Sequence, residues 1–233
     1  MVHQDAGTTR DAVDVIMEWP DGPLRFVDTA GMRRAGKTKG LEYYGLVRTT
    51  RAIERADVVA LVIDAAQGLT AEDRKIASRV HEAGRALLLV ANKWDLVEDR
   101  DRTFRTIEEA AETMASAPVV RTSALRGQGV HRLPHMLVEL RGRWASRAPT
   151  ARVNELIQAA QGERPAPRNS GPIRYATQFS TGPPAFVLFG GRQPAPSYRR
   201  FLENRLRSSL GLDGVPIRLR FRERRGGRGG GDR

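Results

Sequence analysis

The sequence predicts an α/β protein in which helices cover both faces of a parallel sheet, followed by a small α+β unit. Residues 57–65 and 85–95, "DVVALVIDA" and "RALLLVANKWD", are apolar runs of the kind that forms strands buried on both faces. Helical patterns alternate with the strands, which is typical of a parallel sheet. A loop rich in proline and glycine at residues 161–172 then marks a unit of different texture.

The elements of the first unit follow in chain order. The predicted strands are 11–19, 23–30 (ending in Asp28), 57–65, 85–95 and 117–124. The predicted helices are 41–56, 70–84, 103–116 and 129–146. The helix from residue 70 has the clearest ends, because Thr70 and Asp73 form a capping-box pattern and Gly84 is a typical helix stop.

The second unit combines helices with strands that do not alternate regularly. A helix at 150–160, strands near 173–179 and at 184–189, and a helix from Ser197 to Leu210 are predicted, with Ser197 as its cap and Gly211 as its stop. Residues 215–224, "VPIRLRFRER", alternate apolar residues with arginines, which predicts a half-buried strand with an arginine face. The tail at 225–233 has no apolar residue and is expected to be disordered.

Composition limits the classes of protein to which the chain can belong. The chain has no cysteine, which excludes a disulfide framework and a thiolate metal site. No run approaches the ~20 apolar residues that span a bilayer, and the first residues lack the apolar segment of a signal peptide. A cytoplasmic protein without a membrane partner is therefore expected.

The net charge of +12 is concentrated in the second unit. Residues 1–149 have a net charge of +2, whereas residues 150–233 carry +10, and every basic residue there is arginine. Arginine binds phosphate through a planar fork of donors, so this distribution favours contact with nucleic acid over a merely solubilising surface.

The string "NKWD" directly after a buried strand is the strongest chemical signal. A carboxylate at Asp95 can accept two hydrogen bonds from the N1–H and 2-amino group of guanine, a donor pair that adenine lacks. Lys93 can lay its aliphatic stem along the base, and Asn92 can tie neighbouring loops together. These three residues predict a guanine site.

Three further loops lie in the order that such a site requires. Asp28 begins "DTAG" after a predicted strand, where a carboxylate can hold the water ligands of Mg²⁺, and the N–H of Gly31 can meet a γ-phosphate. Thr9 lies in "GTTRD", where a hydroxyl can ligate Mg²⁺. Ser123 and Ala124 begin "SAL" after the next strand, and the N–H of Ala124 can contact the guanine carbonyl.

The sequence resembles the translation-factor class of small GTPases and, more closely, the second GTPase domain and C-terminal KH-like domain of the Der/EngA ribosome-assembly GTPases. The resemblance covers about residues 2–224. The strings that carry it in the first unit are "AGTTRDAVD", "DTAGMRRAGK", "RAIERADVVALVIDA", "GLTAEDRKIA" and "NKWDLVE". Those in the second unit are "IRYATQ", "PPAFVLF", "SYRRFLENRLR" and "GVPIRLRFRER".

The resemblance implies a role for each candidate residue. Thr9 would be the Mg²⁺ ligand, Asp28 would hold that ion's water ligands, and Gly31 would meet the γ-phosphate. The guanine set would comprise Asn92, Lys93, Asp95, Ser123 and Ala124. Met32 follows "DTAG" and cannot orient a water molecule, and the family relies instead on K⁺ and switch-loop backbone. No catalytic residue is therefore assigned, and the implied cofactors are GTP or GDP, Mg²⁺ and K⁺.

Residues 31–38, "GMRRAGKT", also fit the phosphate-loop pattern G-x-x-x-x-G-K-[ST]. The family carries its phosphate loop before "GTTRD", however, and Gly40 interrupts the helix that such a loop requires. The match is interpreted as accidental. The rival interpretation is an ATPase with this phosphate loop and with Asp64 as a magnesium residue, which leaves "NKWD" and "SAL" without a role.

The resemblance implies a first strand, phosphate loop and first helix ahead of Val2 that this sequence does not show. That strand would lie between the strands ending at Asp28 and Asp64, so its absence is expected to leave two unpaired edges. The chain is therefore expected to be a C-terminal fragment with impaired nucleotide binding that hydrolyses GTP hardly at all.

The KH-like unit raises a separate question about RNA. KH modules bind single-stranded RNA through a G-x-x-G loop between two helices. Gly211 and Gly214 fit that string, but they lie between a helix and the final strand, so docking onto the first unit is the alternative to RNA contact. His131 and His135 have metal spacing, but without further ligands they are interpreted as ordinary helix residues. The Arg/Gly tail could track an RNA backbone.

The predicted architecture is a P-loop GTPase-type parallel sheet lacking its first strand and phosphate loop, followed by a small α+β KH-like domain. The expected boundaries are a truncated GTPase domain at 1–148, a KH-like domain at 149–224 and a basic tail at 225–233. The implied function is a GTPase in assembly of the large ribosomal subunit, monomeric, with that subunit and its rRNA as partners. The alternative is a non-enzymatic RNA- or ribosome-binding module with an inert GTPase remnant.

Overall fold

The computed structural model describes residues 14–20, 22–27 and 49–223. The strands are β1 (Asp14–Met17), β2 (Leu24–Val27), β3 (Val58–Asp64), β4 (Ala86–Asn92), β5 (Val119–Arg121), β6 (Tyr175–Ser180), β7 (Ala185–Phe189) and β8 (Arg218–Arg222). The helices are α1 (Ala71–Glu82), α2 (Arg100–Glu112), α3 (Leu133–Trp144), α4 (Thr150–Glu163) and α5 (Pro196–Leu210). Residues 49–55 are also helical, and 3₁₀ turns lie at Trp94–Leu96 and Val130–Arg132.

A parallel sheet in the order β3-β4-β5 forms the centre of the first unit. Strand β4 is buried on both faces up to Ala91, as its continuous apolar run predicts. One face packs on α1 and α2 through residues that include Leu89, Val80 and Ile107. The predicted α/β class with a parallel sheet is confirmed.

The outer edge of β3 has no strand partner among the described residues. Strands β1 and β2 pair antiparallel as a separate two-stranded sheet, which is not joined to β3 within that part of the chain. Val62 on β3 is 49% exposed and Ile16 on β1 is 67% exposed. The predicted pair of unpaired edges stays an expectation, because residues 1–13 and 28–48 lie outside the described ranges.

Several element ends differ from the sequence predictions. The strand predicted to Asp95 ends at Asn92, because Lys93 adopts a left-handed conformation (φ 59°) and a 3₁₀ turn follows. The predicted strand 117–124 is confined to β5. Ser197 does not cap α5: Ala195 precedes the helix and Pro196 occupies its first turn, where proline's fixed φ fits. The capping box of Thr70 and Asp73 is confirmed.

The second unit is an α-β-β-α-β arrangement in which α4 and α5 cover one face of the sheet β6-β7-β8. β6 and β7 run antiparallel, and β7 and β8 run parallel. The core of this unit is continuous with the α3 face of the first sheet. The shared cluster includes Leu88, Val90, Val120, Leu137 and Leu140 of the first unit and Ile157, Phe186, Leu188, Leu202 and Leu206 of the second.

The turn that contains Gly214 fastens the second unit to the first sheet. The Gly214 N–H donates to Ala115 O at 2.8 Å, and the Leu87 N–H donates to Gly214 O at 2.9 Å. The Leu89 N–H donates to Pro118 O, just before β5, on the same edge of β4. Gly214 therefore continues the line of backbone hydrogen-bond acceptors along this edge of β4. Gly211 is the left-handed cap of α5. The G-x-x-G string is therefore a helix stop and a docking turn, not a loop between two helices.

Two longer side chains add to this docking contact. The indole Nε1 of Trp144 donates to Gly84 O at 2.8 Å, and Gly182 N donates to Trp144 O at 3.1 Å. The Arg218 guanidinium donates to His81 O at 3.2 Å and to Glu82 O at 2.5 Å at the end of α1. These contacts lie at the start of β4, which is the end of the sheet away from Asn92.

Neither a membrane span nor a metal cluster occurs in the described ranges. None of the helices there is long and apolar enough to cross a bilayer. His131 lies in a 3₁₀ turn and His135 in α3, and no group of three or more His, Cys, Asp or Glu in that part of the chain is arranged to hold a metal ion.

Candidate functional site

The carboxyl ends of β3 and β4 meet at one edge of the sheet, because Asp64 and Asn92 are direct partners in the parallel register. The loop after β5 joins this edge, since Thr122 N–H donates to Ala91 O at 2.9 Å and Trp94 N–H donates to Thr122 O at 3.0 Å. The structure thus brings "NKWD" and "SAL" together, as expected of loops at the same edge of a parallel sheet.

Asn92 connects these two loops through a single oxygen. Its Oδ1 accepts from the Thr122 hydroxyl at 3.2 Å and from the Ala124 N–H at 3.0 Å. The side chain therefore fixes the "SAL" backbone relative to the end of β4. This is the tying role that the sequence predicts for Asn92.

Asp95 is held as an ionised carboxylate at the mouth of the loops. A hydrogen bond from the Ser123 side chain is the main cause that lowers the pKa of Asp95, and the charge of Arg126 lowers it further. Arg126 Nε lies 3.5 Å from Asp95 Oδ2, with the arginine side chain 64% exposed. Ser123 is fully buried, so it positions Asp95 and does not itself present a surface to a ligand.

The loop that carries Ser123 is closed by a tight backbone contact. Ser123 and Gln128 exchange two backbone hydrogen bonds, at 2.9 and 3.1 Å. Gly129 follows with φ +72°, and a Cβ at this position would lie 2.2 Å from Arg121 O. A side chain does not fit there, so glycine is required at the end of the turn that Ser123 and Gln128 close.

Lys93 is fixed by an ion pair that the sequence did not predict. Its Nζ lies 2.6 Å from Asp64 Oδ2, and Asp64 also accepts from Ala66 N–H at 3.1 Å and Gln67 Nε2 at 3.2 Å. The hydrogen bond from Lys93 is the main cause that lowers the pKa of Asp64. Both carboxylate oxygens are engaged in these bonds, and the magnesium role of Asp64 in the rival ATPase interpretation stays a prediction, because residues 31–38 lie outside the described ranges.

The aromatic residue of "NKWD" packs behind the site. Trp94 meets the ring of Phe104 edge-on at 6.1 Å between centroids, and the Arg121 guanidinium lies over both rings at 5.6 and 4.6 Å. The stacked cation and rings hold the 3₁₀ turn of residues 94–96 against α2. Trp94 lies between the site residues Lys93 and Asp95 in sequence, so its indole can serve as a probe of this turn.

The candidate residues are only partly within the described ranges. Thr9, Asp28, Gly31 and the string at 31–38 lie outside them. Asn92, Lys93, Asp95, Ser123 and Ala124 lie together at this edge. The Ala124 N–H donates to Asn92 Oδ1, and its contact with a guanine carbonyl stays a prediction. The roles of Arg126 and Gly129 were not predicted; the positive charge of Arg126 two residues after "SA" was the only signal for the first.

The donors and acceptors present fit a guanine base. A carboxylate has about four lone-pair positions, so Asp95 can keep its bond from Ser123 and accept from guanine N1–H and the 2-amino group. The Arg126 side chain, which is 64% exposed against 8% for Asp95, would move aside to admit the base. The Ala124 N–H already donates to Asn92 Oδ1, so it can donate to a guanine carbonyl only by sharing its hydrogen between the two acceptors.

Asn92→Ala is expected to loosen the "SAL" loop, because it leaves the Thr122 hydroxyl and Ala124 N–H without their acceptor. We expect a loss of about 1–2 kcal/mol in the free energy of unfolding and faster hydrogen exchange at the Ala124 amide. Asn92→Asp is the matched control, since it keeps an acceptor oxygen in the same position. Unchanged exchange at Ala124 in the alanine variant would contradict the bridging role.

Asp64→Asn is expected to remove a pH-dependent contribution to stability. The carboxyl pKa is lowered below its ordinary value of 3.8 by Lys93, so the stabilisation is fully present above pH 3.8 and is lost as the pH falls through the lower folded-state value. At pH 7 we expect the variant to lose less than about 1 kcal/mol, because Lys93 is largely exposed. Urea unfolding of both proteins at pH 7 and at about pH 2–3 measures the difference, which should vanish in acid; a difference that persists there excludes the ion pair as its source.

Two family models match this chain. The model described as "50S ribosome-binding GTPase" matches residues 1–93, and the model described as "KH-domain-like of EngA bacterial GTPase enzymes, C-terminal" matches residues 147–222. Together they cover both units of the structure.

Curated relatives named GTPase Der are similar to almost the whole chain. The relative from Acetivibrio thermocellus is 42% identical over 228 residues, which cover 94% of this chain and 52% of the relative. The relative from Mycobacterium avium (strain 104) is 43% identical over 236 residues, which cover 98% of this chain and 51% of the relative. The chain therefore spans about half the length of the curated relatives it matches.

Among solved structures, the chain is similar to Era in complex with MgGDPNP and nucleotides 1506–1542 of 16S ribosomal RNA. The TM-score is 0.50 with 18% sequence identity, and the match covers 95% of this chain and 83% of that one. At this level of identity the similarity shows a shared fold.

Proposed function

This chain belongs to the Der/EngA family of GTPases, and on that premise we propose that its first unit recognises guanine nucleotides and that the protein acts on the ribosome. The proposed units are a GTPase domain at 1–148 and a KH-like domain at 149–224. The observation that carries the nucleotide proposal is the joined pair of loops, in which Asn92 fixes "SAL" and Ser123 holds an ionised Asp95.

Base recognition is assigned to side chains that the structure holds in place. Asp95 accepts the two donors on the edge of guanine, and adenine lacks this donor pair. The stem of Lys93, anchored by Asp64, borders the base. GTP or GDP with Mg²⁺ supplies the phosphoryl chemistry when bound. The resemblance assigns Thr9, Asp28 and Gly31 to the phosphates and Mg²⁺, and implies K⁺ as a further ion.

A titration followed by NMR tests the guanine proposal within the full chain. The indole N–H signals of Trp94 and Trp144 serve as site and control, because Trp94 lies behind the "NKWD" turn and Trp144 lies at the docking contact with Gly84. GDP should shift the Trp94 signal and leave Trp144 unchanged, and ADP should shift neither. Equal responses to GDP and ADP would rule out a guanine site.

We further propose that this chain is a fragment with impaired nucleotide affinity. The support is the outer edge of β3, which has no strand partner among the described residues and exposes 49% of Val62 beside the site. A Kd for GTP weaker than about 100 μM is expected for the 233-residue chain. A Kd in the low micromolar range would contradict impaired affinity while leaving guanine recognition intact.

The ribosomal partner is proposed as the large subunit and its rRNA, met by a monomeric chain in the assembly of that subunit. The net charge of +10 on residues 150–233 supports contact with a polyanion. Sedimentation with isolated subunits should place the chain with the large one. The same charge favours the alternative of a non-enzymatic RNA- or ribosome-binding module, which predicts co-sedimentation together with no GDP response at Trp94.

A further inference from the structure

One side of the second sheet presents aromatic rings and arginines to solvent. We call it the open sheet face and define it by Tyr175 and Phe179 on β6, the half-buried Phe189 on β7, and Arg220 and Arg222 on β8; Val187 at its centre is buried (8% exposed). Tyr175 is 47% exposed and Phe179 is 43% exposed, and both arginines are exposed. The opposite side of the same strands is buried against α4 and α5.

The register places these side chains in two rows that run across the three strands. Tyr175 pairs with Phe189, which pairs with Arg222, and Thr177 pairs with Val187, which pairs with Arg220. Side chains two positions apart on a strand point to the same face at a spacing of about 7 Å, and two strand spacings separate β6 from β8 by about 10 Å. On this face the two rings of β6, with Thr177 between them, lie across the central strand β7 from the arginines of β8.

A bulge on β6 sets the position of Phe179. The register shifts between Gln178 and Ser180, so Phe179 is the extra residue of the bulge. Its ring lies 5.0 Å from the Arg220 guanidinium carbon, and the rings of Tyr175 and Phe189 lie 5.9 Å apart. Arg220 and Arg222 form no ion pair with a carboxylate of the described residues, whereas the neighbouring Glu223 pairs with Arg192.

The other surfaces of this sheet are already occupied. Asn154 bonds both the N–H and the C=O of Ala176 at 2.9 and 2.8 Å, so α4 seals part of the free edge of β6. Arg218, which also lies on β8, binds the end of α1. Gly214 is bonded to the first sheet. The rings and arginines of the open sheet face contact one another, and none of the described contacts joins them to another part of the chain.

We propose that the open sheet face is a binding site for single-stranded RNA. Stacking platforms and flanking cations are the two features that bind unpaired nucleotides, since every base has a face to stack and every linkage carries a negative charge. Tyr175 and Phe179 supply the rings, and Arg220 and Arg222 supply cations at a spacing that suits successive phosphates. The inference rests on the proposed function only in taking RNA as the partner class.

Fluorescence anisotropy of the full chain with labelled oligo(U) and oligo(A) of about 12 nucleotides tests this site. The combined substitution of Tyr175→Ala and Phe179→Ala should weaken binding about 5- to 100-fold without changing its salt dependence. The combined substitution of Tyr175→Phe and Phe179→Tyr should keep the RNA affinity of the unsubstituted chain, because both aromatic rings remain. Arg220→Gln with Arg222→Gln should weaken binding and lower the slope of log K against log salt by about 0.7 for each phosphate that the variant no longer neutralises.

Arg100→Gln with Arg102→Gln on α2 is the charge-matched control, because both side chains are exposed on the first unit. All variants keep the tail at 225–233, so its contribution cancels. Three results would overturn the proposal and leave the face as a protein-docking surface. The control could lose as much RNA affinity as the face variants, the Tyr175→Ala and Phe179→Ala variant could bind RNA as well as the unsubstituted chain, or the chain could bind an RNA duplex as tightly as single-stranded RNA. The Trp94 response to GDP is read on the same variants, so failure of the nucleotide site and failure of the RNA site are distinguishable.

Discussion

Gly214→Ala should destabilise the protein by about 3 kcal/mol, although the change adds a single methyl group. The residue has φ +76°, where an L side chain costs about 1–2 kcal/mol. The added Cβ would also lie 2.6 Å from Pro118 Cδ and 2.8 Å from Leu87 O, and forcing atoms into such a packed site costs about 1–3 kcal/mol more. Relief of that contact would pull Gly214 away from its two hydrogen bonds with the first sheet.

Gly211→Ala is the control that separates the two contributions. Gly211 has a similar φ of +63°, but nothing lies within 4 Å of its added Cβ. This variant should lose only the backbone cost of about 1 kcal/mol. Urea unfolding gives both values, and hydrogen exchange at the Leu87 amide reports whether the docking turn has opened. Equal losses of stability in the two variants would show that the Gly214 turn does not lock the units together.

The same pair of variants distinguishes docking from RNA contact. A G-x-x-G loop that binds RNA would make both glycines matter for RNA affinity and neither for stability. The contacts of Gly214 predict the opposite pattern, with RNA affinity of the folded Gly211→Ala protein unchanged. The turn is thus a structural joint, and any RNA contact of this unit must lie elsewhere.

Asp95→Asn should exchange guanine for xanthine as the preferred base. The amide keeps one acceptor but replaces the other with a donor, which opposes the 2-amino group of guanine and matches the 2-oxo group of xanthine. Loss of charge-assisted bonds to a buried base edge should change the ratio of GDP to XDP affinity by about 100-fold. Shifts of the Trp94 indole signal measure both affinities.

Asp95→Glu and Arg126→Ala serve as comparisons for that result. The glutamate keeps both acceptors on a longer stem, so weakened binding should retain the guanine preference. Arg126→Ala removes only an exposed partner of Asp95, so GDP affinity should stay within about a factor of five of the unsubstituted chain. A GDP to XDP ratio that is the same in all three variants would mean that Asp95 does not read the base.

Much of the fold is predictable because the buried elements carry clear patterns of apolar residues in this sequence. The run at β4 is apolar on both faces, and the capping box of α1 marks a helix start by its own hydrogen bonds. The ends of elements are less predictable. The strand before "NKWD" stops at Asn92 because of one backbone angle at Lys93, and the cap pattern of Ser197 is weaker than the helix-start signal of Pro196 directly before it.

The sequence motifs of the site could be predicted, but the contacts between their side chains could not. "NKWD" and "SAL" identify two loops, and parallel topology is enough to bring them to one edge. The pairing of Lys93 with Asp64 depends on the register of β3 against β4, which no local pattern reveals. Full burial of Ser123, which places it to support Asp95, depends on the turn that ends at Gly129 and that no local pattern reveals.

The structure of this chain with GDP is the most direct test of guanine recognition. It should place guanine N1 and N2 within about 3 Å of the Asp95 carboxylate, with Arg126 displaced and Asn92 Oδ1 still bonded to Thr122. GDP bound with its base elsewhere, or a base edge that leaves Asp95 on Arg126, would contradict a guanine site formed by these two loops.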